Sequence, residues 1–328
     1  MKTLVANFAN QLMDAKQIGE SISFIPTNKN FSNVLICGLG GSGIGGKIIS
    51  LLVREEAKIP IVTTNDYSIP NFVNKNTLVI ANSYSGNTEE TLTAVKESDK
   101  RGAEIVAITS GGALLEMAKL NKWNHFVVPS GEQPRAMLAY SLIQLLFTLE
   151  KHKIVSTNYT SQLQSIANLV TENESQIKKE ALKVAKQIYQ KKAVIYADQS
   201  FEGVAVRFRQ QINENAKELC WHHVLPEMNH NELVGWAGGD NNIAVIKLNS
   251  SFEFYRTKKR WEICKSIISE KTDTIIEINA KGNNKLAQVL YLIHITDWIS
   301  VLLADLKQVD AVEVDVIIKL KDELSKLG

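Results

Sequence analysis

Four side-chain hydroxyls lie in two turns that could close on one small anion. Ser42 sits in Val34-Leu-Ile-Cys-Gly-Leu-Gly-Gly-Ser-Gly-Ile-Gly-Gly-Lys47, where a short apolar run empties into glycines. Ser83, Ser85 and Thr88 sit in Asn82-Ser-Tyr-Ser-Gly-Asn-Thr88, after a second apolar run. A strand, a glycine turn and a helix N-terminus expose backbone N–H groups, and the helix dipole favours negative charge there. Gly41 and Ser42 in one turn, with Ser83, Ser85 and Thr88 in the other, supply the neutral donors that a phosphate monoester needs. The competing reading is that these residues only cap the helices that follow; Thr88 before Glu89-Glu90 suits that role.

The glycine turn also satisfies two nucleotide patterns. Gly38-x-Gly40-x-x-Gly43 is the dinucleotide fingerprint, but its ribose-binding acid is missing: Asp66 lies beyond Thr63-Thr-Asn and fits poorly. Gly41 to Lys47 nearly forms a P-loop, but Ile48 stands where a hydroxyl should hold magnesium.

Three residues further on could do proton chemistry. Arg135 follows Pro134 at the start of an apolar helix. A cation there is disfavoured by the helix dipole unless an anion meets it. Glu214 lies two residues past Ile212 on a helix whose apolar positions Val204, Phe208 and Ile212 recur every fourth residue. It is off that stripe, as a solvated glutamate or a site carboxylate would be. His230 lies in Pro226-Glu-Met-Asn-His-Asn, a segment with turn chemistry, and can give and take a proton near neutrality. His222 and His223 compete with it; following Cys220-Trp221, they read as packing residues or as the end of a helix.

The elements that must position these groups alternate. A leading helix and a loop at Pro26-Thr-Asn fill residues 1–30. Strands are expected at 34–37, 59–64, 77–81, 104–109 and 126–129. Helices are expected from about Ile44 to Glu56, Glu89 to Arg101, after Ser110-Gly-Gly to Leu120, and after Ser130-Gly-Glu-Gln-Pro-Arg135 to Leu149. Residues 151–180 read as a polar helical link. Strands at 193–197, 243–248 and 274–279 then alternate with helices at 201–219, 254–268 and 285–306. Short Val/Ile-rich strands of this kind are buried on both faces, as in a parallel sheet covered by helices. Ligands of such sheets bind at the carboxyl ends of the strands. The fold class is α/β, in two units: residues 1–150, carrying the phosphate turns, and 151–328, carrying Glu214 and His230.

A chain of 328 residues is long enough for two such units. A net charge of +2 without a basic block disfavours nucleic acid as a partner. The three cysteines show no metal-binding spacing and suit a reducing compartment. The N-terminus lacks a signal peptide's apolar core, and no uninterrupted apolar run reaches the length of a membrane span. The expectation is a cytoplasmic protein with no membrane partner.

Five motifs in order resemble a known family. Ser83-Tyr-Ser-Gly-Asn-Thr-Glu-Glu-Thr91 resembles the signature of sugar isomerase (SIS) domains. Together with Gly40-Gly-Ser-Gly-Ile-Gly-Gly46, Gln133-Pro-Arg-Ala136, Gln211-Ile-Asn-Glu-Asn-Ala-Lys217 and Glu227-Met-Asn-His-Asn-Glu232, it is similar to the bifunctional phosphoglucose/phosphomannose isomerases. The likeness runs from about residue 30 to the C-terminus. It implies two SIS-type domains, each an αβα sandwich, in a homodimer whose active site lies near the subunit interface. It implies that Gly41, Ser42, Ser83, Ser85 and Thr88 hold a hexose 6-phosphate. It makes Glu214 the base, Arg135 a stabilising cation, and His230 the ring-opening group, reaching in from the neighbouring subunit. A C-terminal lysine, Lys319 or Lys321, also takes part, with Lys321 preferred. Asp310-Ala-Val-Glu313 departs from the family's usual segment before that lysine and carries no hydroxyl side chain.

The expected activity is a metal-independent, cofactor-free aldose–ketose isomerisation through a cis-enediolate. It connects glucose 6-phosphate, and mannose 6-phosphate, with fructose 6-phosphate. A non-catalytic SIS module would keep the hydroxyls without needing Glu214 and His230. A nicotinamide-dependent oxidoreductase would rest on the glycine fingerprint alone.

Overall fold

The computed structural model describes residues 1–326; Leu327 and Gly328, the end of the expected second unit, lie outside the described residues. In chain order the first elements are α1 (Lys2–Ala6), α2 (Phe8–Ser21), β1 (Asn33–Cys37), α3 (Gly40–Leu52), β2 (Ile61–Thr64), β3 (Thr77–Asn82), α4 (Glu89–Lys100), β4 (Glu104–Thr109), α5 (Gly112–Leu120), β5 (Asn124–Val127) and α6 (Leu138–Lys151). After them come α7 (Leu163–Ile188), β6 (Lys192–Asp198), α8 (Glu202–Ala216), β7 (Trp221–Leu225), α9 (Glu232–Gly235), β8 (Ile243–Asn249), α10 (Tyr255–Ser269), β9 (Ile275–Asn279), α11 (Lys285–Lys307) and α12 (Asp315–Ser325).

The strands form two parallel sheets, ordered β2-β1-β3-β4-β5 and β7-β6-β8-β9. The apolar runs of the inner strands β1, β3, β4, β6 and β8 are buried on both faces. In β1, Val34 and Ile36 join one core with residues of α2, α3 and α6, while Leu35 and Cys37 face a second core with residues of α4 and α5. In β6, Ile195 faces the first core and Val194 and Tyr196 a third, with Trp261 and Cys264 of α10. The first core is continuous between the sheets, running through α3, α6, α7, α8 and α11. At the crossing of α3 and α8, a Cβ on Gly203 would come within 2.9 Å of Ile48 Cα, so only glycine lets those backbones approach so closely.

The strand and helix alternation of the sequence is present, with differences that have local causes. Strand β5 begins at Asn124, two residues before the expected start, because the Asn124 side chain exchanges hydrogen bonds with the Ile25 backbone and ties the strand to the N-terminal loop. The helix expected from Arg135 opens instead as a 3₁₀ turn, Pro134–Ala136, before α6. Helix α8 stops at Ala216, because Lys217 adopts a left-handed conformation. That stop frees Trp221–Leu225 to form edge strand β7, which the sequence reading missed. His222 and His223 are therefore on a strand, not at a helix end. Alternating faces send them apart: His222 Nε2 lies 3.8 Å from Glu202, while His223 Nδ1 pairs with Glu232 at 2.8 Å. Helix α11 is long and apolar enough by length and composition to cross a membrane, although His294 and Asp297 interrupt its apolar run. Here its apolar stretch is 94% buried, and it packs on α7 and α8.

Candidate active site

The two hydroxyl-bearing turns meet because β1 and β3 are neighbours in the sheet. Helix α3 starts at Gly40, earlier than expected, so Gly41 and Ser42 lie in its first turn. Ser42 Oγ accepts from the Tyr84 amide at 3.1 Å, and the Ser42 carbonyl accepts from Asn82 Nδ2 at 2.8 Å. Ser83 and Thr88 hydroxyls lie 2.9 Å apart. Thr88 occupies the N-cap position of α4 but makes no side-chain capping bond there. That weakens the capping alternative for Thr88, since its hydroxyl is turned to Ser83. Ser85 is exposed, and its Oγ accepts from the Asn87 amide at 3.3 Å. Glu89 and Glu90 occupy the first turn of α4, so the attraction for an anion must come from the hydroxyls and the α3 end.

Arg135 is brought against the glycine turn. A Cβ on Gly41 would lie 3.3 Å from Arg135 Cα and N, a contact tighter than side chains ordinarily accept. Between the two turns is a small cavity lined by Gly41, Ser42, Asn82, Tyr84, Pro134 and Met137. A more spacious crevice of about 620 Å³, lined by Phe24, Lys29, Lys58 and Lys153, lies at the amino ends of β1 and β2 and holds none of these groups.

The guanidinium is 4% exposed and its geometry is over-determined. Nε donates to Asn215 Oδ1 at 2.8 Å and Nη1 to Gln133 Oε1 at 3.1 Å. Nη2 donates to the carbonyls of Ala311 and Val312 at 2.6 and 3.1 Å. Nη1 also lies 3.5 Å from Glu214 Oε2, whose side chain is 30% exposed. Burial pulls the Arg135 pKa down, while Glu214, Asp310 and Glu313 push it up and Arg207 opposes them.

Sequence reasoning missed the layer beneath. Arg207, Gln211 and Asn215 recur every fourth residue on α8 and are all buried. Arg207 Nη2 donates to Asp297 Oδ2 at 2.6 Å and to the Arg135 carbonyl at 2.8 Å. Gln211 donates to Asp297 Oδ1 at 3.0 Å, and Asn215 to Ser300 Oγ at 2.9 Å. The signal was in the sequence: a polar stripe on α8, and Asp297 with Ser300 inside the apolar α11.

His230 ends a short 3₁₀ turn after β7 and is exposed; among the described residues its side chain makes no hydrogen bond or ion pair. The structure does not join it to Glu214 within this chain. Its loop is anchored by Glu232, which accepts from Tyr196 Oη and Trp221 Nε1 and pairs with His223. Lys319 and Lys321 lie on α12, both exposed and, among the described residues, without a hydrogen bond or ion pair to the site. The segment before them does reach the site, through the Ala311 and Val312 carbonyls. The Asp310-Ala-Val-Glu313 segment thus meets Arg135 through its backbone. Among the described residues no three His, Cys, Asp or Glu side chains are grouped to hold a metal ion.

The arrangement can hold a monoester and place a carboxylate beside a fixed cation. Residues 29–150 match the SIS domain, and residues 177–324 match the bacterial phospho-glucose isomerase C-terminal SIS domain. The chain is 34% identical to the bifunctional phosphoglucose/phosphomannose isomerase of Caldicellulosiruptor bescii, over 98% of both chains. It is 36% identical to the protein of that description from Aquifex aeolicus, over 90% of this chain and 91% of the other. Among solved structures, the C-terminal domain of glucosamine-fructose-6-phosphate aminotransferase from Francisella tularensis superposes with a TM-score of 0.77 at 15% identity, covering 94% of this chain and 97% of that one. At that identity the likeness is one of fold.

Proposed function

Because the chain belongs to the bifunctional phosphoglucose/phosphomannose isomerase family, we propose that it interconverts glucose 6-phosphate and mannose 6-phosphate with fructose 6-phosphate, by the following division of labour. Ser42, Ser83, Ser85 and Thr88, with the Gly41 backbone, hold the phosphate. His230, from a second copy of the chain in a homodimer, moves a proton between the ring oxygen and O1 to open the hemiacetal. Glu214 removes the C2 proton and returns it to C1. One carboxylate serves both carbons because the intermediate is a cis-enediolate. A positioned base of this kind contributes on the order of 10²–10⁴-fold. The enediolate carries negative charge, which Arg135 stabilises from a fixed position. A single base serves both C2 epimers if the enediolate turns about C2–C3. As proposed, each step is carried by groups of the protein itself, without recourse to a metal ion or cofactor. Lys321, on α12, contributes from the C-terminal segment. The three thiols are free, which suits a cytoplasmic location.

The observation that carries this reading is the meeting of Arg135, Glu214 and the glycine turn. The Glu214 carboxylate lies 3.5 Å from a buried guanidinium yet stays 30% exposed, open to a ligand, whereas the structural pair Arg207–Asp297 is buried on both sides. The test is to incubate the protein with fructose 6-phosphate in deuterated water and follow the products by NMR. Deuterium entering C2 of the aldose phosphates is expected. Tight binding without turnover would overturn the enzyme reading in favour of the binding module.

A further inference from the structure

Lys217 holds a backbone conformation that a non-glycine residue rarely adopts. It ends α8 with φ 51° and ψ 44°, the left-handed region that glycine normally fills at a helix end. Its side chain does what glycine could not. Nζ donates to the carbonyls of Glu214, Asp310 and Glu313 at 2.7, 2.8 and 2.7 Å. The ammonium also lies 3.7 Å from Glu313 Oε2. The first carbonyl belongs to the last turn of α8; the others belong to the strap between α11 and α12. The strap is shared between two cations: residues 310 and 313 give their carbonyls to Lys217, and 311 and 312 give theirs to Arg135.

We propose that Lys217 is a positioning residue for the isomerisation. It ties the end of the base-bearing helix to the strap and holds the strap against Arg135, so that carboxylate and guanidinium keep their separation. The assignment rests on the reading of Glu214 as the base. Lys122, Lys153, Gln190 and Gln308 share the left-handed conformation; what sets Lys217 apart is a side chain that binds three carbonyls, two of them on the strap. A lysine that merely satisfied the final carbonyls of a helix would support stability without touching turnover.

Two variants separate the alternatives. Lys217→Gly relieves the backbone and removes the clamp; Lys217→Met keeps the backbone strain and removes the clamp. Both are compared with wild type by steady-state kinetics and by hydrogen exchange of peptides covering residues 309–314. Both are expected to exchange faster there. Small misplacement of a reacting group can cost on the order of 10²-fold, so kcat should fall about tenfold to a hundredfold with KM within about threefold of wild type. Glu214→Gln is assayed alongside. Full kcat in Lys217→Gly beside an inactive Glu214→Gln overturns the clamp alone, as does unchanged protection of the strap. Full rate in Glu214→Gln overturns the base assignment, and the clamp with it.

Discussion

Arg135 Nη1 lies 3.5 Å from Glu214 Oε2, while the other donors of the guanidinium are engaged by neutral oxygens of Asn215, Gln133, Ala311 and Val312. The cation is therefore held in one geometry by the protein itself. A guanidinium presents five N–H groups in a planar fork, and this cradle is shaped for that fork.

Arg135→Lys is the direct probe of that cradle. A lysine ammonium has three donors and cannot reach all four acceptors. We expect kcat/KM to fall on the order of 10²–10³-fold, as when a preorganised donor is lost. Steady-state kinetics with fructose 6-phosphate would check this; a change below about threefold would show that charge alone suffices.

Glu214→Gln should bind substrate and lose turnover by roughly 10²–10⁴-fold. If His230 acts across subunits, mixed dimers of Glu214→Gln and His230→Ala chains contain one intact site. Partial recovery of activity on mixing is expected. Absence of recovery in verified heterodimers would place both groups in one chain.

Asp297 tests the buried layer. Its carboxylate pairs with Arg207, and both side chains are almost fully buried, at 7% and 3% exposure. Asp297→Ala leaves a buried guanidinium without its partner, which costs about 3–5 kcal/mol in such pairs. Urea unfolding measures the loss. A cost under about 1 kcal/mol would mean that water reaches Arg207.

Glu56 should make stability depend on pH in the acid range. Burial pushes its pKa up, but hydrogen bonds from Thr157, Tyr159 and Ser156 outweigh this and set it at about 2, against an ordinary 4.5. A carboxyl with a depressed folded pKa stabilises the fold above its unfolded pKa, and loses that contribution as pH falls through the folded value. Glu56→Gln should therefore be less stable than wild type at neutral pH, with the gap closing between pH 4.5 and 2. A gap independent of pH would falsify the assignment.

Much of this protein is local in origin and so legible in the chain itself. Runs such as Val34–Cys37 and Leu78–Ala81 are apolar without alternation, which only a strand covered on both faces tolerates. Glycine and hydroxyl-rich turns after two such strands lie where ligands of parallel sheets bind. Five short motifs in order fixed the family. Tertiary structure decided the rest, because it depends on partners distant in sequence. Trp221–Leu225 became a strand only because Lys217 ended α8 early and β6 offered an edge. Thr88 faces Ser83 rather than capping α4, and no propensity distinguishes the two. The glutamate that sequence alone could not tell from a solvated one is set apart by an arginine 79 positions earlier, held by α8 on one side and the 311–312 backbone on the other. Backbone carbonyls carry no sequence signature, so a contact made through them stays invisible until the chain is folded.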